Sequence, residues 1–366
     1  MPELPEAWAD LSRAEGFELQ PRTPGPSSRG FLSLERQQFN RQLLRSDPGV
    51  KFAVKAWLVA RGSRHLHLVD EHGAVVEHRP FALEELSDPL LARPPEKLIS
   101  LCPSNAEVIE SLGCFDRVIA CEDSTDWPEA AQNVPRLGPD LGPDLDRVST
   151  LSPELVLSSL SVPGMERIVT GLRVRQVPQL VLAPRSFDDV KHEIGLTGRY
   201  LAVAGRAQEV CGQLDRERDE LIARRGRFFR PLRVYLEWWP RPMYTPGGDC
   251  YSNELIRFAG GINVFRARTG SSVEVSPEQL VAVKPHICFL SWCGVHVDKL
   301  DIDNLLRRPG LQRLEAIQER RVFKLDERYA GRPGPRMLEA ARIMARAIDR
   351  VRKLLSLEET DRRSRW

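Results

Sequence analysis

From Lys97 onward the apolar positions alternate between strand-like and helix-like spacing. The segment KLISLC (97–102) reads as a strand. Ser104 and Glu107 then have the spacing of a capping box, and Gly113 stands where the helix they open would end. DRVIAC (116–121) is a second strand, after which Asp126 and Glu129 repeat the capping spacing with Pro128 early in the helix. PDLDRVSTL follows as helix, PELVLSS as strand, MERIVTGLR as helix and VPQLVLAP as strand. Crossovers between parallel strands are right-handed, so such units wind into a parallel sheet.

Residues 186–225 carry one helical pattern, with Ile194, Leu201, Ala204, Cys211, Leu214 and Leu221 at near-helical spacing and no proline. A single weak apolar stripe without sustained heptads predicts a strut between two lobes rather than a coiled coil. A second set of units follows: LRVYLEWW (strand), a Pro/Gly loop, SNELIRFAGG and SPEQLVAV (helices), HICFLSW (strand), LQRLEAIQE (helix), RVFKLDE (strand) and the terminal helix GPRMLEAARIMARAIDRVRKLL. The predicted fold class is α/β, with two Rossmann-like lobes (96–185 and 227–366) joined by a long backbone helix over 186–226. Ligands of open α/β sheets sit outside the carboxyl ends of the strands, so the cleft between the lobes is the expected site.

Residues 1–95 read as a small N-terminal α+β appendage. A Pro/Ser/Gly run (20–30) precedes a helical pattern (34–45), and VKFAVKAWLVARG and RHLHLVDEHGAVVEHRPF alternate as a small antiparallel sheet would. His65, His67, His72 and His78 fall here. Alternation places His65 and His67 on one strand face, and with no cysteine beside them they read as solvent-facing strand histidines rather than a metal site.

At 366 residues the chain exceeds one hydrophobic core, in keeping with two lobes and an appendage. With 42% apolar and 28% charged residues it has the composition of an ordinary folded protein. A net charge of +2 gives no footprint for nucleic acid, and Arg224, Arg225, Arg227, Arg230 and Arg233 read as cations at a helix C-terminus. No window is apolar enough for a membrane span, and MPELPEAWADLSRAEGFELQ lacks the regions of a signal peptide. Seven cysteines without a CxxC pair suit reduced thiols. These features predict a cytoplasmic protein; a start assigned too far downstream would instead make it periplasmic or surface-attached. No P-loop, no GxGxxG after a strand and no Ser-His-Asp order is present, so the expectation is binding without catalysis and with no obligatory cofactor. An enzyme or a scaffold reusing the cleft is the alternative.

The segments LISLCPSNAEVIESLG, DWPEA, PDLDRVSTLSPELVL, EWWPRPMYTPGG, ELIRFAGGINVF, VSPEQLVAVKPHICFL and GRPGPRMLEAARIMA resemble the helical-backbone substrate-binding proteins of ABC importers, from about Lys97 to Leu354. Among these the chain is most similar to the cobalamin-binding branch, with iron-siderophore and haem receptors as cousins. The resemblance implies a large ligand, with cobalamin first and a siderophore or haem as alternatives.

Candidate ligand contacts combine position and resemblance. Cys102, Ser104 and Asn105 stand where the first strand meets its helix, where backbone N–H groups favour polar or anionic groups. Trp238, Trp239 and Tyr244 border the Pro/Gly loop; adjacent tryptophans on a strand face opposite ways, so one of the pair suits the core and one a stacking platform. Trp127 and Trp292 are further candidate rings, and the resemblance adds Tyr329 and Arg332. Ser124, Asp140 and Ser272 occupy positions where the cobalamin branch carries rings. Asp146 and Glu278 match the carboxylates with which exported relatives dock on a permease, although both also suit the first turn of a helix by charge alone. Cys102, Cys121, Cys250 and Cys293 stand at strand ends near Glu122, Asp123 and His296, yet cysteine is more often a small buried residue than a metal ligand, so no metal is expected.

Overall fold

The structure is a computed structural model that describes the backbone of residues 53–60, 63–69, 75–80, 87, 93–162, 164–224 and 230–364, with side chains over 87, 93–162, 164–224 and 230–356. The expected helix at 34–45, the run at 20–30, and Arg225 and Arg227 lie outside the described residues. Strands β1 (Ala53–Ala60), β2 (Ser63–Val69) and β3 (Val75–Pro80) form an antiparallel sheet in the order β1-β2-β3, as the alternation predicts.

The chain divides into two compact units, one reaching Asn105 and resuming over Arg117–Ala183, the other made of Ala106–Asp116 and the chain from Pro184. In the first, β4 (Leu98–Ser100) leads into the opening residues of α1 (Pro103–Ser111), whose remainder from Ala106 belongs to the second unit, and β5 (Val118–Cys121), α2 (Leu145–Thr150), β6 (Leu155–Ser159), α3 (Glu166–Val174) and β7 (Gln179–Leu182) follow. The four strands are parallel in the order β5-β4-β6-β7. Both faces of such a sheet are covered, which is why β6 and β7 are buried along their whole length. Ile99, Leu101, Val156, Ile168 and Leu172 are part of its core.

Helix ends follow the sequence in part. Gly113, at φ +71°, ends α1 with a Schellman pair: Cys114 N–H bonds the Ile109 carbonyl at 3.1 Å and Gly113 N–H bonds that of Glu110 at 2.8 Å. The start differs from expectation. Because α1 begins at Pro103, Ser104 lies inside the first turn rather than at the cap position. Asp126 and Glu129 form no capping box either; a short 3-10 helix over Glu129–Asn133 starts after Pro128, without a side-chain cap.

The single helix expected over 186–225 is two helices, α4 (Phe187–Tyr200) and α5 (Ala204–Ala223). The break is another Schellman pair, with Val203 N–H on the Gly198 carbonyl (2.7 Å), Ala202 N–H on that of Arg199 (3.2 Å), and Ala202 at φ +59°. The helices fold back on one another as a hairpin. Lys191 Nζ reaches Asp215 at 2.7 Å, and a Cβ on Gly198 would come within 2.5 Å of that of Ala207. No glycine or proline stands at 201–203 to announce the turn.

The rest of the second unit comprises β8 (Leu232–Glu237), β9 (Trp239–Pro240), β10 (Met243–Pro246), α6 (Ser252–Ala259), β11 (Gly261–Asn263), β12 (Ser272–Val275), α7 (Pro277–Val283), β13 (Ile287–Leu290), α8 (Ile302–Leu306), α9 (Glu315–Gln318), β14 (Val322–Lys324), α10 (Glu327–Ala330) and α11 (Met337–Ser364). Its main sheet is parallel in the order β11-β8-β13-β14, and β12-β10-β9 form an antiparallel ribbon. LQRLEAIQE yields only the single turn α9.

Candidate functional site

Each unit's sheet reverses strand order once. In the first unit the chain goes from β4 outward to β5 and then to β6 on the other side; in the second it goes from β8 to β11 and then to β13. The carboxyl ends beside such a switch point are where open α/β sheets take ligands.

At the β4/β6 switch stand Cys102, Ser104 and Asn105, all buried. Cys102 Sγ is 3.2 Å from Ser104 Oγ. Burial pushes the Cys102 thiol up, and the Ser104 and Ser159 hydrogen bonds offset this only in part, so the group is a neutral thiol at neutral pH. Asn105 is committed to the fold: its Nδ2 donates to the carbonyls of Leu157 (3.1 Å) and Ser158 (3.0 Å), tying α1 to the end of β6. Ser159 and Ser161 join this group, with Ser159 Oγ donating to Ser161 Oγ at 2.9 Å. Neither serine stands out in the sequence, because only the strand order brings β6 beside β4.

At the β8/β13 switch, Trp238 follows the last residue of β8. Its backbone is clamped on both sides, its N–H by the Tyr244 carbonyl (2.8 Å) and its carbonyl by the N–H of Cys293 (3.1 Å). Register pairs Leu290 with Glu237, so the next step sets Ser291 beside Trp238. Trp238 Nε1, Ser291 Oγ and Thr245 Oγ1 are buried polar atoms without a hydrogen-bond partner among the described residues. An unmade bond of this kind costs about 1–3 kcal/mol, so a group supplying acceptors here would be favoured. Trp239 is 43% exposed, with its indole N–H on the Arg241 carbonyl. Tyr244 is half-buried, its hydroxyl 3.3 Å from Glu274.

The loop beyond is held from inside. Asn253 Nδ2 donates to the carbonyls of Gly247 (2.7 Å), Gly248 (3.1 Å) and Cys250 (3.0 Å), and Asn263 Nδ2 to those of Pro246 (2.8 Å) and the Asn253 side chain (2.9 Å). A Cβ on Gly247 would lie 2.2 Å from the Gly270 carbonyl oxygen, and one on Gly248 2.6 Å from that of Arg266. This is the physical reason for the glycine pair in YTPGGDC.

Other predicted contacts are placed elsewhere. Trp292 is a core residue whose indole N–H donates to Glu237 at 3.1 Å, so it offers no free stacking face. Trp127 is half-buried ahead of Pro128. Tyr329 lies under two guanidinium groups, with Arg336 5.3 Å and Arg328 5.9 Å from its ring centroid. Arg332 is nearly buried between Glu107 (3.8 Å) and Glu327 (3.9 Å), and Arg336 binds the same Glu107 at 2.5 Å. Ion pairing therefore occupies Arg332. Asp146 accepts two bonds from Arg175 (2.8 and 3.0 Å), after Asp144 has capped α2. Glu278 is exposed in the first turn of α7 behind the Ser276–Gln279 capping box; the Ser276 hydroxyl holds its carboxyl below the usual range. Ser124 and Ser272 are exposed and Asp140 half-buried, so none of the three supplies a ring.

The thiols at the strand ends are protonated. Burial raises Cys121 and Cys250 to about 11, and no group of three His, Cys, Asp or Glu placed to hold a metal occurs among the residues described with side chains.

Comparison with known proteins agrees with this architecture. An uncharacterized ABC transporter substrate-binding lipoprotein, YvrC of Bacillus subtilis, is 24% identical over 280 residues, covering 74% of this chain and 85% of its own. The vitamin B12-binding protein of Vibrio parahaemolyticus is 25% identical over 250 residues, covering 68% and 87%. Among solved structures, the periplasmic vitamin B12 binding protein BtuF of Vibrio cholerae superposes with a TM-score of 0.62 at 21% identity, covering 71% of this chain and 99% of its own. The periplasmic heme-binding protein RhuT of Roseiflexus reaches 0.63 at 24% identity, covering 70% and 98%. With residues 98–329 matching its sequence pattern and two parallel switch-point sheets to match, the chain belongs to the periplasmic binding protein family.

Proposed function

We propose that this protein binds a large, flat, partly apolar ligand, a corrinoid of the cobalamin type, and releases it chemically unchanged. The observation that carries the reading is the set of buried atoms near the end of β8 that have no hydrogen-bond partner among the described residues, Trp238 Nε1, Ser291 Oγ and Thr245 Oγ1; the ring of Trp239, next in sequence, is exposed. Aromatic faces suit a macrocycle, and the unpaired donors suit amide side groups on its rim. Relatives named as vitamin B12-binding proteins support the choice. Haem is the second reading, favoured by a fold likeness to heme-binding proteins such as RhuT. Within the first unit, Cys102, Ser104 and Ser159 form a separate polar group at its own switch point, and Asn105, Arg332, Tyr329 and Trp292 support the scaffold.

All seven cysteines are free thiols, which suits a reducing compartment, and we place the protein in the cytosol as a carrier or sensor. Asp146 then pairs with Arg175 beyond α3 and Glu278 serves the first turn of its own helix, rather than a permease. Cell fractionation tests the compartment: a membrane-associated or exported form would remove this part of the proposal.

The binding test is titration of the reduced protein with cyanocobalamin, haemin and a ferric siderophore, read by tryptophan fluorescence and visible absorbance. The expected result is saturable one-to-one quenching by cobalamin, with the ligand recovered intact. Turnover of the ligand would instead indicate an enzyme, and no response to any of the three would overturn the reading.

A further inference from the structure

A cavity of about 370 Å³ lies beside β11, the outer strand of the second unit's main sheet. Its walls are β11, Pro231 ahead of β8, and residues 253, 254 and 257 of α6. The switch point of this sheet lies on the other side of β8, and none of Trp238, Thr245 and Ser291 lines the cavity. Small-molecule sites commonly have volumes of about 300–1,000 Å³, so this one has room for a small organic ligand.

The polar groups on its walls differ in what they can offer. Asn253 and Asn263 are committed to the fold through their amide nitrogens, and Asn263 Oδ1 also accepts from the Phe265 N–H at 2.9 Å. Glu254 accepts from the Phe187 N–H at 2.6 Å with one oxygen, and its other oxygen stands 3.5 Å from Arg257. The Arg257 guanidinium is steadied over the Phe258 ring, 5.1 Å from the centroid. Arg266 makes one long contact, from Nη1 to the Asn263 carbonyl at 3.4 Å, and no carboxylate pairs with it among the described residues. Two guanidinium groups against one carboxylate leave the cavity with one positive charge in excess. Pro231, Ile262 and the arginine stems make the remaining wall apolar. A guanidinium is a rigid fork that matches a carboxylate with two parallel hydrogen bonds. The walls therefore suit a singly charged organic anion with an apolar body, whereas inorganic phosphate would gain nothing from Pro231 and Ile262.

We propose that this cavity binds a small organic monocarboxylate, its carboxylate on Arg266 and Arg257 and its apolar body against Pro231 and Ile262, at a second site independent of the corrinoid reading. Nothing along the chain marks Arg257 and Arg266 as a pair. They meet because Gly260 ends α6 in the left-handed conformation and turns the chain directly into β11, so that helix and strand share one wall.

The test is calorimetric titration of the full-length, reduced chain with octanoate, with octan-1-ol of the same chain length, and with inorganic phosphate. One equivalent of octanoate is expected to bind, and octanol and phosphate should each bind at least about tenfold more weakly, the worth of a hydrogen-bonded charge. Octanoate affinity should fall by a similar factor in the combined Arg257→Gln, Arg266→Gln variant and stay unchanged in Arg307→Gln, an exposed arginine elsewhere on the second unit. Cyanocobalamin should not displace octanoate. No saturable octanoate binding, equal binding of octanol, tighter binding of phosphate, undiminished binding by the double variant, or displacement by cyanocobalamin would each overturn the proposal. Should the double variant fail to fold by circular dichroism, phenylglyoxal modification of the wild-type chain with peptide mapping decides: octanoate must protect Arg257 and Arg266 together, and unaltered labelling of the two rejects the site.

Discussion

Arg308 lays both terminal nitrogens of its guanidinium on the carboxylate of Glu237, at 2.5 and 3.0 Å, with both side chains buried at the end of β8. The same carboxylate accepts from the Tyr235 hydroxyl (2.9 Å) and the Trp292 indole (3.1 Å), and Arg308 also binds Asn304 at 2.8 Å. The strand carrying Trp238 is thus fixed one residue before the proposed ligand contact. Removing one partner leaves the other charge uncompensated. Arg308→Ala is expected to lower stability by about 3–5 kcal/mol in denaturant titration. A loss under 1 kcal/mol would show that the network is hydrated and contributes little.

Trp238 gives effects of opposite sign with and without ligand. Trp238→Phe keeps an aromatic ring, though a smaller one, and removes an N–H that has no partner among the described residues. The free protein should therefore be unchanged or slightly stabilised in a thermal melt. Cobalamin affinity should fall by the worth of one hydrogen bond, about 0.5–1.5 kcal/mol, and further in Trp238→Ala. Equal affinity in wild type and Trp238→Ala would remove this residue from the site.

Asn105 is expected to matter to stability before ligand affinity. Asn105→Ala leaves the buried carbonyls of Leu157 and Ser158 without these two donors, and the expected cost is about 1–3 kcal/mol by chemical denaturation. Unchanged stability together with lost ligand binding would reverse this assignment.

Ala202 adopts φ +59° at the turn between α4 and α5, where a side chain is strained. Ala202→Gly relieves that strain at some cost in unfolded-chain entropy, and the net gain should be up to about 1 kcal/mol. A destabilised variant would mean that packing, not backbone strain, governs the turn.

Alkaline stability carries the sign of the buried thiols. Burial raises Cys121 and Cys250 from 9.0 to about 11, so the folded protein holds their protons where the unfolded chain has released them. Their contribution is complete below pH 9 and is lost as pH rises toward 11. Cys250→Ala should flatten the alkaline limb of a stability–pH curve, and an unchanged limb would assign it to other groups.

The sequence by itself determined most strands of the two parallel sheets and their order along the chain. Apolar runs such as PELVLSS and VPQLVLAP must be buried on both faces, and Gly113, Asp144 and Ser276 carry local stop and start chemistry that acts without help from the rest of the chain. The glycine pair at 247–248 and the tryptophans beside it marked the loop after β8, since no other residue type tolerates such close backbone approach. What only the tertiary structure decided was which of these residues remain available. Trp238 and Trp292 look alike along the chain, yet one indole N–H has no partner among the described residues and the other is bound by Glu237, because partners come from strands far apart in sequence. Arg332 was drawn into ion pairs with Glu107 and Glu327 for the same reason, and Ser159 and Ser291 entered the switch points only through strand order. The turn at Ala202 was invisible because packing of Gly198 against Ala207, a contact between helices, sets it. Local chemistry fixes an element's identity, whereas the state of a polar side chain depends on distant groups that only the fold assembles.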